Sequence, residues 1–227
     1  ENNKISELSN FVIIDKFSNN IVAGGKINFK LRRSEKIFPV KSNIVKSTRS
    51  RIKKQIPICI WLTGRSGSGK TTIAQILEQK LLADGKHTYL LDGDNLRSGL
   101  NKDLGFAKAD RIENVRRVSE VAKLFVDAGI IVIVSLISPF LRDREFAKKL
   151  FLKNEFFEIH VNTPLSVCIK RDPKKLYKES KKNLSLNNIG LGGIYEEPKK
   201  PFLRVNTEKN NARFQSDKIL KKIFNQF

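Results

Sequence analysis

The chain has 227 residues, 40% of them hydrophobic, and carries 44 basic against 23 acidic side chains, a formal net charge of +21. This size suits one α/β domain with a hydrophobic core plus an extension. No apolar run reaches the roughly 20 residues that span a bilayer, and the N-terminus lacks the pattern of a signal peptide.

Cys59 and Cys168 are far apart and flanked by apolar residues. We therefore expect two reduced core cysteines and a cytoplasmic protein without a membrane partner.

The excess of positive charge has two explanations. It either serves binding to nucleic acid, or it reflects a lysine-rich genome in a protein that handles polyanionic nucleotides. The lysines are scattered along the sequence, and no basic helix is interleaved with aromatic residues. We therefore expect no nucleic-acid partner.

The first 56 residues differ from the rest of the chain. Phe11–Asp15 is a short apolar run, and Gly24-Gly25 is interpreted as a turn between two short β-like stretches within Ile21–Phe29. Leu31–Lys54 is polar, basic and without clear periodicity, which is typical of a linker. We do not expect this region to fold alone.

From Pro57 onward, short apolar runs alternate with stretches of helical periodicity. The runs indicate buried strands, and apolar residues three or four apart indicate helices that cover a sheet. The predicted strands are Ile58–Thr63, Thr88–Leu91, Ile130–Ile137, Phe156–Val161 and Leu203–Asn206. The predicted helices are Lys70–Ala83, Asp110–Ala128, Leu141–Phe151, one that Pro164 opens, and Ser216–Phe224. This alternation predicts an α/β fold, a parallel sheet with helices on both faces.

The segment after the first of these strands, Gly64–Thr71, matches the phosphate-loop (P-loop) pattern G-x-x-x-x-G-K-[ST] in full. Glycines allow the backbone N–H groups to turn onto phosphates at the positive end of the next helix. Lys70 is expected to reach the β- and γ-phosphates of ATP, and the Thr71 hydroxyl to bind Mg²⁺. The alternative, a glycine-rich turn without function, is disfavoured because a strand precedes the loop and a helix follows it. The predicted ATP-binding residues here are Gly64, Arg65, Ser66, Gly67, Ser68, Gly69, Lys70, Thr71 and Thr72.

Two further features distinguish between the classes of P-loop protein. The strand Ile130–Ile137 lacks the acidic residue that supports the metal in many hydrolysing P-loop proteins, which favours a small-molecule kinase. Asp92 and Asp94 follow the second predicted strand, at the sheet edge where open α/β folds bind ligands. A carboxylate there is suited to holding Mg²⁺ or to accepting the proton of an acceptor hydroxyl. The alternative role for Asp94 is to cap a helix.

Several ordered blocks of sequence accompany the phosphate loop. They are Leu90–Arg97, Asp103–Phe106, Asp110–Arg117, Ile137–Pro139 and Arg171–Lys178. Together these blocks resemble the adenylylsulfate kinases, from about Pro57 to the C-terminus. The resemblance implies transfer of the γ-phosphate of ATP to the 3′-hydroxyl of adenylyl sulfate, with Mg²⁺ as cofactor, by a homodimer. The alternatives are a P-loop kinase for another small acceptor and a non-catalytic nucleotide-binding domain of a sulfate-activation complex.

The resemblance also implies roles for single residues. Lys70, Asp94 and Ser138 form the implied catalytic set, Thr71 and Asp94 the implied metal ligands, and Arg171 faces ATP. In some family members the serine is a phosphorylated intermediate, which direct in-line transfer does not require. The alternative for Ser138 is a helix N-cap. The implied substrate contacts are Asp94, Asn95, Arg97, Phe106, Arg111, Asn114, Ile137, Ser138, Lys174 and Asn188.

The chain departs from the family pattern in two stretches, the lid at Lys175 and Glu179-Ser180-Lys181, and the segment Asn188–Gly192. Lys175 stands where the family's lid has a glycine. Asn188 stands where a second aromatic ring would stack on the substrate adenine, opposite Phe106. Loss of one stacking face is expected to cost about 1–3 kcal/mol of binding free energy.

The N-terminal segment Phe11–Gly25 resembles the last β-strands of the GTPase subunit of sulfate adenylyltransferase, which is fused to this kinase in some bacteria. That resemblance implies association or fusion with sulfate adenylyltransferase. The predicted organisation is a remnant of an upstream β-domain at 1–30, a basic linker at 31–56 and a P-loop adenylylsulfate kinase domain at 57–227.

Overall fold

The computed structural model describes residues 10–26, 38, 40, 42–172 and 195–227. Contacts divide the chain into two units, Glu1–Ser42 and Asn43–Phe227. The first contains a hairpin, and the second contains the main sheet. No helix in the described residues is long and apolar enough to cross a bilayer.

In the first unit, strands β1 (Asn10–Ile14) and β2 (Ile21–Lys26) form an antiparallel hairpin. The chain reverses between Asp15 and Asn20, where the Asp15 N–H donates to the Asn20 carbonyl oxygen at 2.9 Å. The predicted turn at Gly24-Gly25 is wrong, because both glycines pair with β1 inside the second strand. The local side-chain hydrogen bonds of an aspartate make the turn instead.

The second unit contains a five-stranded sheet in which every neighbouring pair is parallel. Its strands are β3 (Cys59–Thr63), β4 (Thr88–Asp92), β5 (Ile131–Ser135), β6 (Phe156–Val161) and β7 (Leu203–Val205). The helices among its described residues are α1 (Lys46–Lys53), α2 (Lys70–Ala83), α3 (Gly93–Ser98), α4 (Lys108–Asp127), α5 (Leu141–Lys149), α6 (Leu165–Arg171) and α7 (Ala212–Phe224). The strand order is β4-β5-β3-β6-β7. The predicted α/β fold is confirmed.

Alternate residues of the central strand β3 face opposite sides of the sheet. Ile60 and Leu62 pack with α2 and α7, whereas Cys59 and Trp61 pack with α4 and α5. Complete burial of each large apolar side chain contributes about 1.5–3 kcal/mol. Cys59 and Cys168 are both buried and free, as predicted.

Most predicted elements are present, with shifts at their ends. The bounds of α2 and β6 match the prediction. Strand β5 ends before the predicted Ile137, because its last pair in the sheet joins Ser135 to Asp92. Helix α7 begins before the predicted Ser216, because the Asn211 side chain caps it by accepting the Phe214 N–H at 2.9 Å.

Helix α1 lies inside the segment that we predicted to be an irregular linker, so that prediction is wrong for residues 46–53. Polar groups hold it in place: Lys46 pairs with Glu155, and Arg49 donates to the Asp127 carboxylate at 2.7 Å. The helix has no buried residue, so hydrophobic periodicity gave no signal. The predicted boundary between residues 56 and 57 remains a prediction.

Candidate active site

The phosphate loop joins β3 to α2, as its sequence predicts. Gly67 has a φ of 75°, in the left-handed region that favours glycine. A Cβ on Gly67 would lie 2.8 Å from the carbonyl oxygen of Cys168, and one on Gly64 would lie 2.6 Å from that of Val161. These glycines therefore serve the close packing of the loop against β6 and α6 as well as its turn.

Lys70 and Thr71 are the first residues of α2. The Lys70 ammonium donates to the Arg65 carbonyl oxygen at 2.7 Å, which holds it against the loop backbone. The Thr71 hydroxyl donates to Asp92 Oδ2 at 2.9 Å and lies 3.4 Å from the Ser135 hydroxyl. The lysine predicted to bind phosphate and the hydroxyl predicted to bind metal therefore lie at the carboxyl edge of the sheet.

A cavity of about 690 Å³ opens at this edge. Predicted site residues that line it are Ser66, Gly67, Gly69, Lys70, Thr71, Thr72, Asp94, Arg97, Phe106, Arg111, Asn114, Ile137, Ser138 and Arg171. Gly64, Arg65, Ser68 and Asn95 are not among the lining residues. Lys174 and Asn188 lie outside the described residues. One cavity thus collects residues predicted for ATP and residues predicted for the acceptor.

Asp92 and Asp94, two aspartates at the end of β4, have different surroundings. Asp92 is buried and caps α3, because its Oδ1 accepts the Asp94 N–H at 3.0 Å. Its Oδ2 accepts the Thr71 hydroxyl. The alternative in which Asp94 is the helix cap is wrong, since the cap lies two residues earlier. Asp94 is exposed and lines the cavity.

An aromatic ring with two guanidinium groups forms another part of the cavity. The Arg97 guanidinium carbon lies 4.5 Å from the centre of the Phe106 ring, and that of Arg111 lies 5.5 Å from it. Arg111 Nε donates to the Phe106 carbonyl oxygen at 2.8 Å. Burial lowers the pKa of Arg97 and of Arg111 below its usual range. Two partly desolvated cations beside an exposed ring suit an anion that carries a nucleobase.

Asn114 has its amide orientation set by a buried neighbour. Asn114 Oδ1 accepts from Asn101 Nδ2 at 3.0 Å, and Asn101 is completely buried. The Asn114 amide nitrogen is therefore the group left to donate into the cavity, which fits an acceptor-rich ligand.

Ile137 and Ser138 follow β5 and are hydrogen-bonded to side chains of β3. The Ser138 hydroxyl donates to Thr63 Oγ1 at 2.9 Å and accepts from Trp61 Nε1 at 3.2 Å. The interpretation of Ser138 as a helix N-cap is wrong, because α5 begins at Leu141 and its N-cap position is Phe140. Its hydroxyl is committed to Thr63 instead.

Arg171 lies beside the phosphate loop, with its Nη1 atom 3.5 Å from the Gly67 carbonyl oxygen. Its guanidinium donates to Thr207 Oγ1 at 2.7 Å and to the Thr207 carbonyl oxygen at 3.0 Å. Thr207, Asn211 and Ala212 also line the cavity, although no sequence motif predicted them. Their position just after β7 could have predicted this role, since residues at strand ends line the ligand crevice in open α/β sheets.

A parallel α/β sheet with a phosphate loop and this adjoining cavity defines a P-loop kinase fold. The adenylylsulphate kinase family model matches residues 56–206. The chain belongs to that family.

Named relatives agree with this assignment. The chain is 51% identical over 198 residues to the bifunctional enzyme NodQ of Rhizobium meliloti, which covers 87% of this chain and 31% of NodQ. It is 48% identical over 189 residues to the adenylyl-sulfate kinase of Clostridium acetobutylicum, covering 83% of this chain and 94% of that protein. The chain thus spans about a third of the length of the bifunctional relatives.

Solved structures show the same fold. The Mycobacterium tuberculosis APS kinase CysC, in complex with AMPPNP and APS, has a TM-score of 0.69 at 41% identity, covering 74% of this chain and 97% of that chain. The hexameric APS kinase from Thiobacillus denitrificans has a TM-score of 0.57 at 28% identity, covering 75% of this chain and 29% of that chain.

Proposed function

We propose that this chain transfers the γ-phosphate of ATP to the 3′-hydroxyl of adenylyl sulfate, giving 3′-phosphoadenylyl sulfate. The observation that carries the proposal is the single cavity shared by the phosphate loop, Asp94 and the Arg97–Phe106–Arg111 cluster. Membership of the adenylylsulphate kinase family supports it.

On the nucleotide side, the phosphate loop binds ATP through its backbone N–H groups and Lys70. The ammonium of Lys70 exchanges the Arg65 carbonyl oxygen for phosphate oxygens and meets the charge that develops on the transferred group. Arg171, fixed by Thr207 beside the loop, adds a second cation for the nucleotide.

On the acceptor side, the adenine of adenylyl sulfate stacks on Phe106, and its phosphosulfate binds Arg97, Arg111 and the amide nitrogen of Asn114. These contacts present the 3′-hydroxyl to Asp94, which accepts its proton as the γ-phosphoryl group is transferred. The Phe106 side chain remains exposed beside the two guanidinium groups, which leaves ring surface for the base.

The residues at the end of β4 fit a Mg²⁺ ion. The Thr71 hydroxyl and the Asp92 carboxylate lie together, and Mg²⁺ in kinases is held by one or two such oxygens, substrate phosphates and water. We therefore add Asp92 to the predicted metal ligands Thr71 and Asp94. Among the described residues, no group of three or more His, Cys, Asp or Glu side chains is placed to hold a metal. When bound, the ion neutralises charge on the β- and γ-phosphates.

We also propose that the chain acts in the cytoplasm, forms homodimers, and is joined to or associates with sulfate adenylyltransferase. Relatives described as bifunctional enzymes, NodQ and the CysN/CysC protein of Xylella fastidiosa, support the fusion. The hairpin β1–β2 lies in the segment that we predict to belong to the upstream β-domain.

A panel of acceptors tests the function. The chain is incubated with ATP and Mg²⁺ plus adenylyl sulfate, AMP, shikimate or gluconate, and phosphorylated product is separated by ion exchange. We expect product with adenylyl sulfate only, and loss of its formation in Asp94→Asn by about 10²- to 10⁴-fold in kcat. The matched control is Asp84→Asn, an exposed residue at the end of α2 outside the cavity lining. Faster transfer to another acceptor would refute the assignment.

A further inference from the structure

A connected set of buried polar groups lies beneath the acceptor side of the cavity. Trp61, Thr63 and Ser138 are almost completely buried. The Thr63 hydroxyl lies at the centre: it is 2.8 Å from the Ile137 carbonyl oxygen, 2.9 Å from the Ser138 hydroxyl and 3.0 Å from the Tyr195 hydroxyl.

The chemistry of these groups permits a single arrangement of hydrogens. The Trp61 indole N–H only donates, and the Ile137 carbonyl only accepts. The one Thr63 proton goes to the Ile137 carbonyl oxygen, so the Ser138 hydroxyl, which accepts from Trp61, donates its own proton to Thr63. Tyr195 is therefore a donor to Thr63. All hydrogen-bonding positions of the Thr63 hydroxyl are occupied.

The backbone that this hydroxyl holds has a conformation that it would not adopt by itself. Ser138 has a φ of 38°, in the left-handed region that is unfavourable for a side chain with a Cβ. The Arg144 guanidinium also donates to the Ser138 carbonyl oxygen, and Arg144 Nε donates to the Glu158 carboxylate at 2.8 Å. Ile137 and Ser138 both line the cavity.

Thr63 is also the last residue of β3, and Gly64 begins the phosphate loop. One side chain therefore ties the backbone on the acceptor side to the segment that places the γ-phosphate. The backbone pairing of β3 with β5 stops just before these residues, with the Leu136 N–H donating to the Leu62 carbonyl oxygen at 3.2 Å. The Thr63 hydroxyl continues the connection beyond the end of the sheet.

We propose that Thr63 is a positioning residue for phosphoryl transfer, whose hydroxyl fixes the acceptor-side backbone at Ile137–Ser138 relative to the phosphate loop. This inference rests on the proposed function. In-line transfer requires the acceptor oxygen and the γ-phosphorus to meet in one geometry, and a displacement near 1 Å costs on the order of 10²-fold in rate.

The test compares Thr63→Val, which keeps the shape and removes the hydroxyl, with Thr63→Ser, which keeps the hydroxyl. We measure kcat, the two KM values and the melting temperature. In Thr63→Val we expect kcat to fall by on the order of 10²-fold and the KM for adenylyl sulfate to rise, with the KM for ATP nearly unchanged. Thr63→Ser should restore most of kcat. Equal loss of kcat in both variants, or a lower melting temperature alone, would overturn the proposal.

Ser138→Ala provides a second test if Thr63→Val does not fold, because Thr63 still donates to Ile137 in that variant. We expect about a threefold to tenfold loss of kcat, the equivalent of one weakened hydrogen bond. Unchanged constants would overturn the positioning role. Complete loss would overturn it as well, since the serine hydroxyl itself would then be the reacting group.

The parent chain separates this inference from the proposed function. If the parent phosphorylates a different acceptor, the function is wrong and the same constants are measured with that acceptor. If the parent binds adenylyl sulfate without turnover, the proposed function is wrong. The positioning role of Thr63 is then tested by measuring the affinity of each Thr63 variant for adenylyl sulfate by calorimetry. Selective loss of acceptor affinity in Thr63→Val alone supports it; equal affinities in both overturn it.

Discussion

Two aspartates that are neighbours in sequence have different surroundings at the end of β4. Asp92 is buried and uses both of its oxygens, one for the cap of α3 and one for Thr71. Asp94 is exposed on the first turn of α3, at the cavity. A buried carboxylate that orients a hydroxyl suits metal binding, whereas an exposed one suits proton transfer to a substrate.

We expect Asp92→Asn to raise the Mg²⁺ concentration needed for half-maximal rate by about 10- to 100-fold. Asparagine caps helices as well as aspartate does, so the melting temperature should change little. Titration of the rate with Mg²⁺ at saturating ATP measures the effect. An unchanged Mg²⁺ dependence together with a lower melting temperature would show that Asp92 has only a structural role.

We expect Phe106→Ala to raise the KM for adenylyl sulfate by about 10- to 100-fold, from a stacking contribution of about 1–3 kcal/mol. Stacking holds bound substrate and changes little during phosphoryl transfer, so kcat should stay nearly constant. The ring is 61% exposed, so stability should not fall. Phe146→Ala, which removes a partly exposed ring from α5, is the control. Equal KM values for adenylyl sulfate in both variants would mean that its adenine does not stack on Phe106.

Polar contacts join the segment before β3 to the rest of the sheet unit. Gln55 is buried just after α1, and its amide donates to the carbonyl oxygens of His87 (3.0 Å) and Gly129 (2.8 Å). The His87 N–H donates back to it at 2.8 Å. One side chain thus links the turns that precede β4 and β5.

We expect Gln55→Ala to lower the free energy of unfolding by about 3 kcal/mol, because it leaves several buried backbone groups without partners. Arg49→Ala removes an ion pair whose partner Asp127 is largely exposed, and such a pair contributes less than about 1 kcal/mol. Urea unfolding of both variants measures the contrast. Equal and small losses would mean that this segment is not part of the folded unit.

A buried histidine makes the stability of the folded protein depend on pH. His160 lies in β6, and burial, together with Arg204, Arg144 and Arg65, lowers its pKa from 6.5 to about 4. It is therefore neutral in the folded state down to about pH 4, whereas the unfolded chain takes up a proton near pH 6.5. The folded state loses stability as the pH falls through this window.

We expect the parent chain to lose about 1 kcal/mol of unfolding free energy per pH unit between pH 6.5 and 4 through this group. His160→Gln should lack that contribution. Urea unfolding of both proteins at pH 7.5, 6.0 and 5.0 gives the difference between their unfolding free energies at each pH. The contribution of acidic groups, which both proteins contain, cancels in this difference. Parallel pH dependences would show that another group controls acid stability.

Elements with strong local signals could be predicted from the amino-acid sequence. Continuous apolar runs and helical periodicity are set by near neighbours in the chain, so the parallel sheet and the bounds of α2 and β6 were predicted. The phosphate loop was predicted for the same reason: its glycines, Lys70 and Thr71 are contiguous, and their chemistry depends on local backbone conformation.

Features that depend on partners distant in sequence could not be predicted in this way. Helix α1 is held by Glu155 and Asp127 rather than by an apolar face, so no periodicity predicted it. The hydroxyl of Ser138 binds Thr63, which is 75 residues earlier in the chain, and no local pattern reports that contact. Hydrogen bonds between distant residues are directional and depend on the assembled sheet, so they are fixed only when β3 and β5 lie side by side.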